Sequence, residues 1–176
     1  MYRGIWGACI IFVGILCGVT ACTFGESAQL PSVQEQTMKE WELVTYVPAD
    51  DAEHLLAKRI IVKAPQMTPK LALKKMLEMD AKEEYPLFPK GTKVLSVNVD
   101  SNTKIATVDF SRELVNNNTG GSLGEILMVY IVTNTLTGMD GVQSIRFSVE
   151  GKHVDTLTGH MDLSQPIRRN EDIILK

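Results

Sequence analysis

The chain has 176 residues, a formal net charge of −3, three cysteines and 22% charged residues. Past its first 21 residues it is long enough for one domain of ordinary size with a real core. Mild acidity without a run of basic residues argues against a phosphate-reading surface, so no nucleic-acid partner is expected.

The chain opens on a secretory pattern. Arg3 is the one charge in residues 1–21, and Ile5 to Val19 is almost wholly apolar. The run ends at Val19-Thr20-Ala21-Cys22. Small residues before a cysteine resemble the bacterial lipobox. On that reading a signal peptidase cuts between Ala21 and Cys22, and Cys22 carries a fatty acyl group such as palmitate. The alternative is an uncleaved anchor, because Ile5 to Ala21 nearly spans a bilayer. Cys9, Cys17 and Cys22 all lie in this segment or at its end, so the mature chain has no thiol for a disulfide, a zinc site or a nucleophile. Residues 22–40 are polar, without a sustained apolar period, and read as a tether between lipid and domain.

The domain begins with a strand from Trp41 to Val47, in which Trp41, Leu43, Thr45 and Val47 share a face. Pro48-Ala49-Asp50-Asp51 closes it, and a second strand runs from Leu55 to Lys63. Thr68-Pro69 starts a helix: threonine caps, and proline suits the first helical position because its missing amide would be unpaired there. Pro69, Ala72, Leu73, Met76 and Leu77 form the buried stripe, while Lys70, Lys74, Lys75 and Glu78 face water. The helix ends in the stretch from Asp80 to Pro86. Two strands follow, joined by Asp100-Ser101-Asn102-Thr103. The first is expected to turn Leu95, Val97 and Val99 inward; in the second, Ile105, Thr107 and Asp109 alternate with Ala106, Val108 and Phe110. Ser111 to Leu114 suggests a short helical turn.

Gly120 to Gly151 holds the centre of the domain. Ser122 and Glu125 have the spacing of a capping box, in which the hydroxyl accepts from the Glu125 amide and the carboxylate reaches back to the Ser122 amide. Leu123, Ile126, Leu127, Tyr130 and Ile131 recur at helical spacing, and Met128, Val129 and Val132 widen the apolar arc, so the helix should be deeply buried. Met128 to Thr133 is rich in β-branched residues and would also suit a strand, but length and the two caps decide for helix. Gly138 is placed as the left-handed residue that ends it. A strand through Val142, Ile145, Phe147 and Val149 ends at Gly151, and Lys152 to Asp155 continues the hairpin briefly. Thr156 to Lys176 has weak periodicity and reads as an ordered tail in which Leu157, Met161, Leu163 and Ile167 tuck under the domain. The fold class is α/β (α+β): a single compact domain over residues 41–170, a mixed or antiparallel sheet packed with two main helices, and a tail at 171–176.

Candidate chemistry is sparse. Gly120-Gly121-Ser122-Leu123-Gly124 fits the G-x-S-x-G string of a hydrolase elbow, and Asp140 with His153 or His160 follows in hydrolase order. An elbow needs a strand running into the serine, however, and Asn116-Asn117-Asn118-Thr119 precedes it. His54, His153 and His160 lack the spacing of a zinc site. Asp100-Ser101-Asn102 begins like a calcium loop but lacks the glycine and closing glutamate. Asp109 and Asp162 read as local ties. No metal, cofactor or catalytic residue is expected.

Several strings in this order resemble one family: Phe88-Pro89-Lys90-Gly91-Thr92-Lys93-Val94-Leu95-Ser96-Val97, Ala106-Thr107-Val108-Asp109-Phe110-Ser111, Gly120 to Glu125, Val132-Thr133-Asn134-Thr135-Leu136-Thr137, Val149-Glu150-Gly151-Lys152, and Thr158-Gly159-His160-Met161-Asp162-Leu163-Ser164 followed by Pro166. Together they resemble the GerMN domain, named after a sporulation and spore-germination lipoprotein that carries two such domains in tandem; this chain has room for one. The resemblance spans about residues 41–170. It implies a domain similar to ring-building modules of membrane-associated secretion channels. It also implies an extracytoplasmic lipoprotein, anchored to a bacterial cell membrane through Cys22, with a role in sporulation, germination or the envelope. It supplies no catalytic residues. The expected action is non-enzymatic contact within an envelope protein complex. The alternatives are a peptidoglycan- or small-ligand-binding module and, as the weakest, a serine hydrolase acting through Ser122.

Overall fold

A computed structural model describes residues 37–176. The expected signal segment, Cys22 and the tether as far as residue 36 lie outside the described residues. Ten elements follow in order: β1 (Lys39–Pro48), β2 (Leu55–Ala64), α1 (Pro69–Asp80), β3 (Val94–Val99), β4 (Ile105–Phe110), α2 (Glu113–Asn116), α3 (Ser122–Thr137), β5 (Ser144–Val149), β6 (Lys152–His153) and β7 (Ile167–Arg168).

The strands form two sheets. β1 and β2 pair along their whole length as an antiparallel ribbon of their own. The second sheet is mixed: β3 is antiparallel to β4, β4 is parallel to β5, and β5 takes β6 and β7 antiparallel at its two ends. A parallel pair needs a crossover, and α2 with α3 supplies it between β4 and β5. α3 touches both β1 and β5, so it joins the two sheets, and it also meets α1 and β7.

This explains its composition. Leu127, Met128, Val129, Ile131, Val132 and Leu136 are all buried, and so are Thr133, Asn134 and Thr135. A helix covered on most sides keeps no polar stripe. Its β-branched residues, which locally suit a strand, are overridden by packing against both sheets. Thr45 and Thr135, both buried, share a hydroxyl hydrogen bond of 3.1 Å that pins α3 to β1.

Most elements agree with the expectation, and five details differ. The helix begins at Ser122 itself, so the N-cap is Gly121, whose carbonyl accepts from the Glu125 amide at 3.1 Å. Ser122 caps nothing, and the capping box is not formed. Gly138 has φ −77° and donates its amide to the Leu136 carbonyl; the chain turns once more before the left-handed residue, Gly141, at φ +85°. In β3 the register shifts between Val94 and Ser96. Leu95 is the extra residue of that bulge and is exposed, while Val94 is buried opposite Phe110. Val99, also expected inside, lies exposed at the strand end. Finally, the stretch after Thr156 contributes β7, and Leu55 of β2 bonds to Ile173 and Leu175 of the last residues.

The β5–β6 hairpin is a two-residue turn. Glu150 and Gly151 have φ +51° and +76°, the double left-handed conformation that matches strand twist. Glu150 tolerates it because both its ends are tied: its amide donates to the Phe110 carbonyl, and its carboxylate accepts from the Arg112 amide.

The caps give a paired test. Thr68 Oγ1 accepts from the Leu71 amide at 3.2 Å, so Thr68→Ala should cost about 0.5–2 kcal/mol. Ser122→Ala should stay within about 0.5 kcal/mol, since the exposed hydroxyl caps nothing. Urea midpoints at constant slope measure both, and the reverse order would restore the capping box.

Candidate functional site

The most demanding polar group among the described residues is the Glu125 carboxylate. It is fully buried in the first turn of α3. Four donors converge on it from the loop after β6. Thr156 Oγ1 and the Leu157 amide donate to Oε1, each at 2.8 Å. Thr158 Oγ1 and the His160 amide donate to Oε2 at 2.6 and 2.9 Å. Gly159 makes the geometry possible, since at φ +95° it takes a conformation that side chains rarely adopt, and its own amide donates to Thr156 Oγ1 at 2.7 Å. Burial alone would raise the carboxyl pKa; the Thr158 and Thr156 hydroxyls and the two amides outweigh it and lower it to about 2.

Asp80, at the end of α1, shows the opposite balance. It too is buried, and burial pushes its carboxyl above the ordinary range, although the Leu87 and Phe88 amides donate to it at 3.0 Å each. Two donors do not offset desolvation where four do. Asp80, Leu87 and Phe88 form part of a cleft of about 630 Å³ that also involves Lys90, Asn117 and Asn118. Asn118 Oδ1 accepts from the Gly120 amide at 2.9 Å, whereas its buried Nδ2 has no partner.

A second clamp holds the far half of α3. Asn134 behaves as a piece of backbone: Nδ2 donates to the Asn170 carbonyl at 2.9 Å, and Oδ1 accepts from the Asn170 amide at 3.0 Å. Arg169 beside it donates to the Asn134 carbonyl at 2.8 Å and to the Tyr46 hydroxyl at 2.7 Å, and pairs with Glu171.

The other candidates lie apart. Ser122 is exposed at the start of α3, after a loop and not a strand, and no histidine among the described residues bonds to its hydroxyl. His54 bonds Asp51 at 2.7 Å. His153 bonds the Phe147 carbonyl at 3.1 Å and lies 3.5 Å from Asp155, and His160 offers Glu125 its backbone amide, not its ring. Asp109 accepts from Ser148 Oγ and the Gly151 amide, Asp162 from the Ser164 amide, and Asp100 from the Asn102 and Thr103 amides. Asp100 and Asp162 are local ties, in line with the loop readings, whereas Asp109, expected to act locally, joins β4 to β5 and the turn that follows it. Among the described residues no group of three or more histidine, cysteine or acidic side chains is placed to hold a metal ion. No helix among them is long and apolar enough to cross a membrane.

Sequence reasoning missed both clamps. It assigned Glu125 to its own helix, and it left Asn134 and Arg169 without a role. The available signal was an acidic residue facing an apolar arc, together with the donor-rich Thr156-Leu157-Thr158-Gly159-His160.

The model of the Germane family, described as sporulation and spore germination, matches residues 42–155, well over half of the chain. The chain belongs to the Germane family. No curated protein matches it. Among solved structures, the tandem GerMN domains of the sporulation protein GerM from Bacillus subtilis align over 75% of this chain with a TM-score of 0.56 at 18% identity. The first GerMN domain of the same protein aligns over 76% of this chain and 98% of its own length, with a TM-score of 0.53 at 18% identity. This chain spans 46% of the tandem structure. At such identity the likeness is one of fold, and it agrees with the mixed α/β architecture above. The matched family segment includes α3 and Glu125 but ends at Asp155, just before the Thr156–His160 donors.

Glu125 makes a signed prediction. Its folded pKa lies below the ordinary 4.5, so its contribution is complete above about pH 4.5 and is lost as the pH falls toward 2. Glu125→Gln presents an amide donor to the Thr158 hydroxyl and the His160 amide; the hydroxyl can rotate, the amide cannot. The variant should lose about 2–4 kcal/mol at neutral pH and show a shallower stability decline in acid. Urea titrations from neutral pH down to about pH 2 measure both, and an unchanged acid slope would contradict the assignment.

Proposed function

We propose that this Germane-family protein is a non-enzymatic lipoprotein, held by Cys22 on the outer face of a bacterial cell membrane, that acts in sporulation, germination or envelope assembly through contacts with other envelope proteins. One observation carries the reading. The buried acids that would be the natural centres of chemistry, Glu125 and Asp80, are turned onto backbone amides of their own chain. What remains available is surface, including exposed apolar residues such as Ile61 and Tyr85. The small-residue triplet before Cys22 supports the anchor, and the polar sequence between Cys22 and β1 supplies reach. A contact module of this kind draws its affinity from a few buried anchors on partner surfaces and not from one deep pocket.

Two experiments test this. Cys22→Ala should abolish labelling by a fatty-acid analogue, because the thiol is the acyl acceptor; equal labelling of variant and wild type would overturn the anchor. Crosslinking with mass spectrometry in sporulating and vegetative cells should give reproducible envelope-protein partners. Absence of partners, together with retention on purified peptidoglycan, would replace the contact reading with a glycan-binding one.

A further inference from the structure

The larger sheet has two unlike faces. Ala106, Val108, Phe110, Ile145 and Phe147 point into the core. The opposite face carries the alternate residues, and pairing fixes which of them are neighbours. Asn98 pairs with Thr107, and Thr107 with Arg146, so three strands place an amide, a hydroxyl and a guanidinium in one row. In the next row Ile105 pairs with Ser144, and Ser144 with Arg168. Arg146 and Arg168 are therefore diagonal neighbours across β5 and β7, roughly 7–8 Å apart at their backbones.

These two arginines differ from the other three among the described residues. Arg59, Arg112 and Arg169 are paired with Glu42, Glu150 and Glu171. Arg146 and Arg168 form no ion pair and no side-chain hydrogen bond with the described residues, although Arg146 is half-buried. The acids on the same face are committed elsewhere: Asp109 to Ser148 and Gly151, Asp100 to the amides of its own turn. Like charges side by side are unfavourable, and a net-acidic chain has carboxylates to spare for neutralising them. Beside Arg146 a groove of about 400 Å³ runs over Asn98, Thr103, Ile105 and Thr107, with Asp100, whose carboxylate accepts from its own turn, at its edge.

We propose that this face, with Arg146 and Arg168 as its two anchors, binds an extended acidic segment of a partner protein. The chemistry fits a peptide. A guanidinium donates two parallel hydrogen bonds to a carboxylate. Along an extended chain, side chains at alternate positions share a face and lie about 6.6 Å apart, close to the spacing of the two arginines. Asn98 and Thr107 are placed to bond the same segment's main chain. A densely charged phosphate polymer suits the site less well, because Asp100 and Asp109 share the face. The assignment rests on the reading of the protein as a contact module and specifies one surface of it.

Binding of a fluorescent Thr-Glu-Thr-Glu-Thr peptide to the purified full chain tests it, with Thr-Gln-Thr-Gln-Thr and inorganic polyphosphate as comparisons. The acidic peptide should bind with a Kd of about 1 mM or tighter and the glutamine peptide at least tenfold more weakly. Arg146→Gln and the more exposed Arg168→Gln should each weaken the acidic peptide at least threefold, with thermal unfolding unchanged, and Arg146→Lys should keep part of the affinity. Equal binding of the two peptides, or arginine variants that bind like wild type, would overturn the site. Binding of polyphosphate but not peptide would overturn the assignment to an acidic segment. Crosslinking in cells separates the two levels: arginine variants that keep every partner sink this surface and leave the contact module standing, whereas peptide binding without any cellular partner does the reverse.

Discussion

The fold depends on a carboxylate with nowhere to go but inward. Glu125 sits in the first turn of the most buried helix, and leaving it charged there without partners would cost more than any nearby apolar contact returns. Four donors from one loop meet that cost. They also bind two distant parts of the chain, since the start of α3 is held to the segment that leads from β6 toward β7. Position in the helix helps, because a negative charge in the first turn faces the positive end of the helix dipole.

The same helix is fixed at its other half by Asn134. An amide side chain that both donates to and accepts from Asn170 imitates a strand partner, and Arg169 adds the Asn134 carbonyl and the Tyr46 hydroxyl. α3 is thus tied at both ends to the chain that follows β6, and through Tyr46 and Thr45 to the β1–β2 ribbon. The two sheets share no ladder hydrogen bonds. What unites them is packing: α3, with its apolar surface and its few polar anchors, and α1 each touch both sheets.

Local signals in the sequence were reliable where a local cause decided the outcome. Thr68-Pro69 starts α1 because cap and helix are neighbours in the chain. The alternation of Ala106, Val108 and Phe110 with Ile105, Thr107 and Asp109 marked β4 as a strand with two unlike faces. Reading failed where a distant segment outcompeted a local one. Glu125 had a plausible local partner in the Ser122 amide, and four donors more than thirty residues away won. Leu95 belongs to a bulge that alternation alone does not reveal. The strand β7 was hidden because two residues cannot show a period. The candidate surface was legible only after pairing, since Arg146 and Arg168 become neighbours through Ser144 and not through the sequence.

The order of this Germane-family domain resides in packing and internal polar ties. The central claim is that the Glu125 cradle is part of the cooperative core and not a loose loop lying on it. Native-state hydrogen exchange measures this directly at the Leu157 and His160 amides, both of which donate to Glu125. Both should exchange only through global unfolding, with the same opening free energy as core amides of α3 such as Val129 and Val132. Exchange of Leu157 and His160 through a separate, much lower-energy local opening would contradict it.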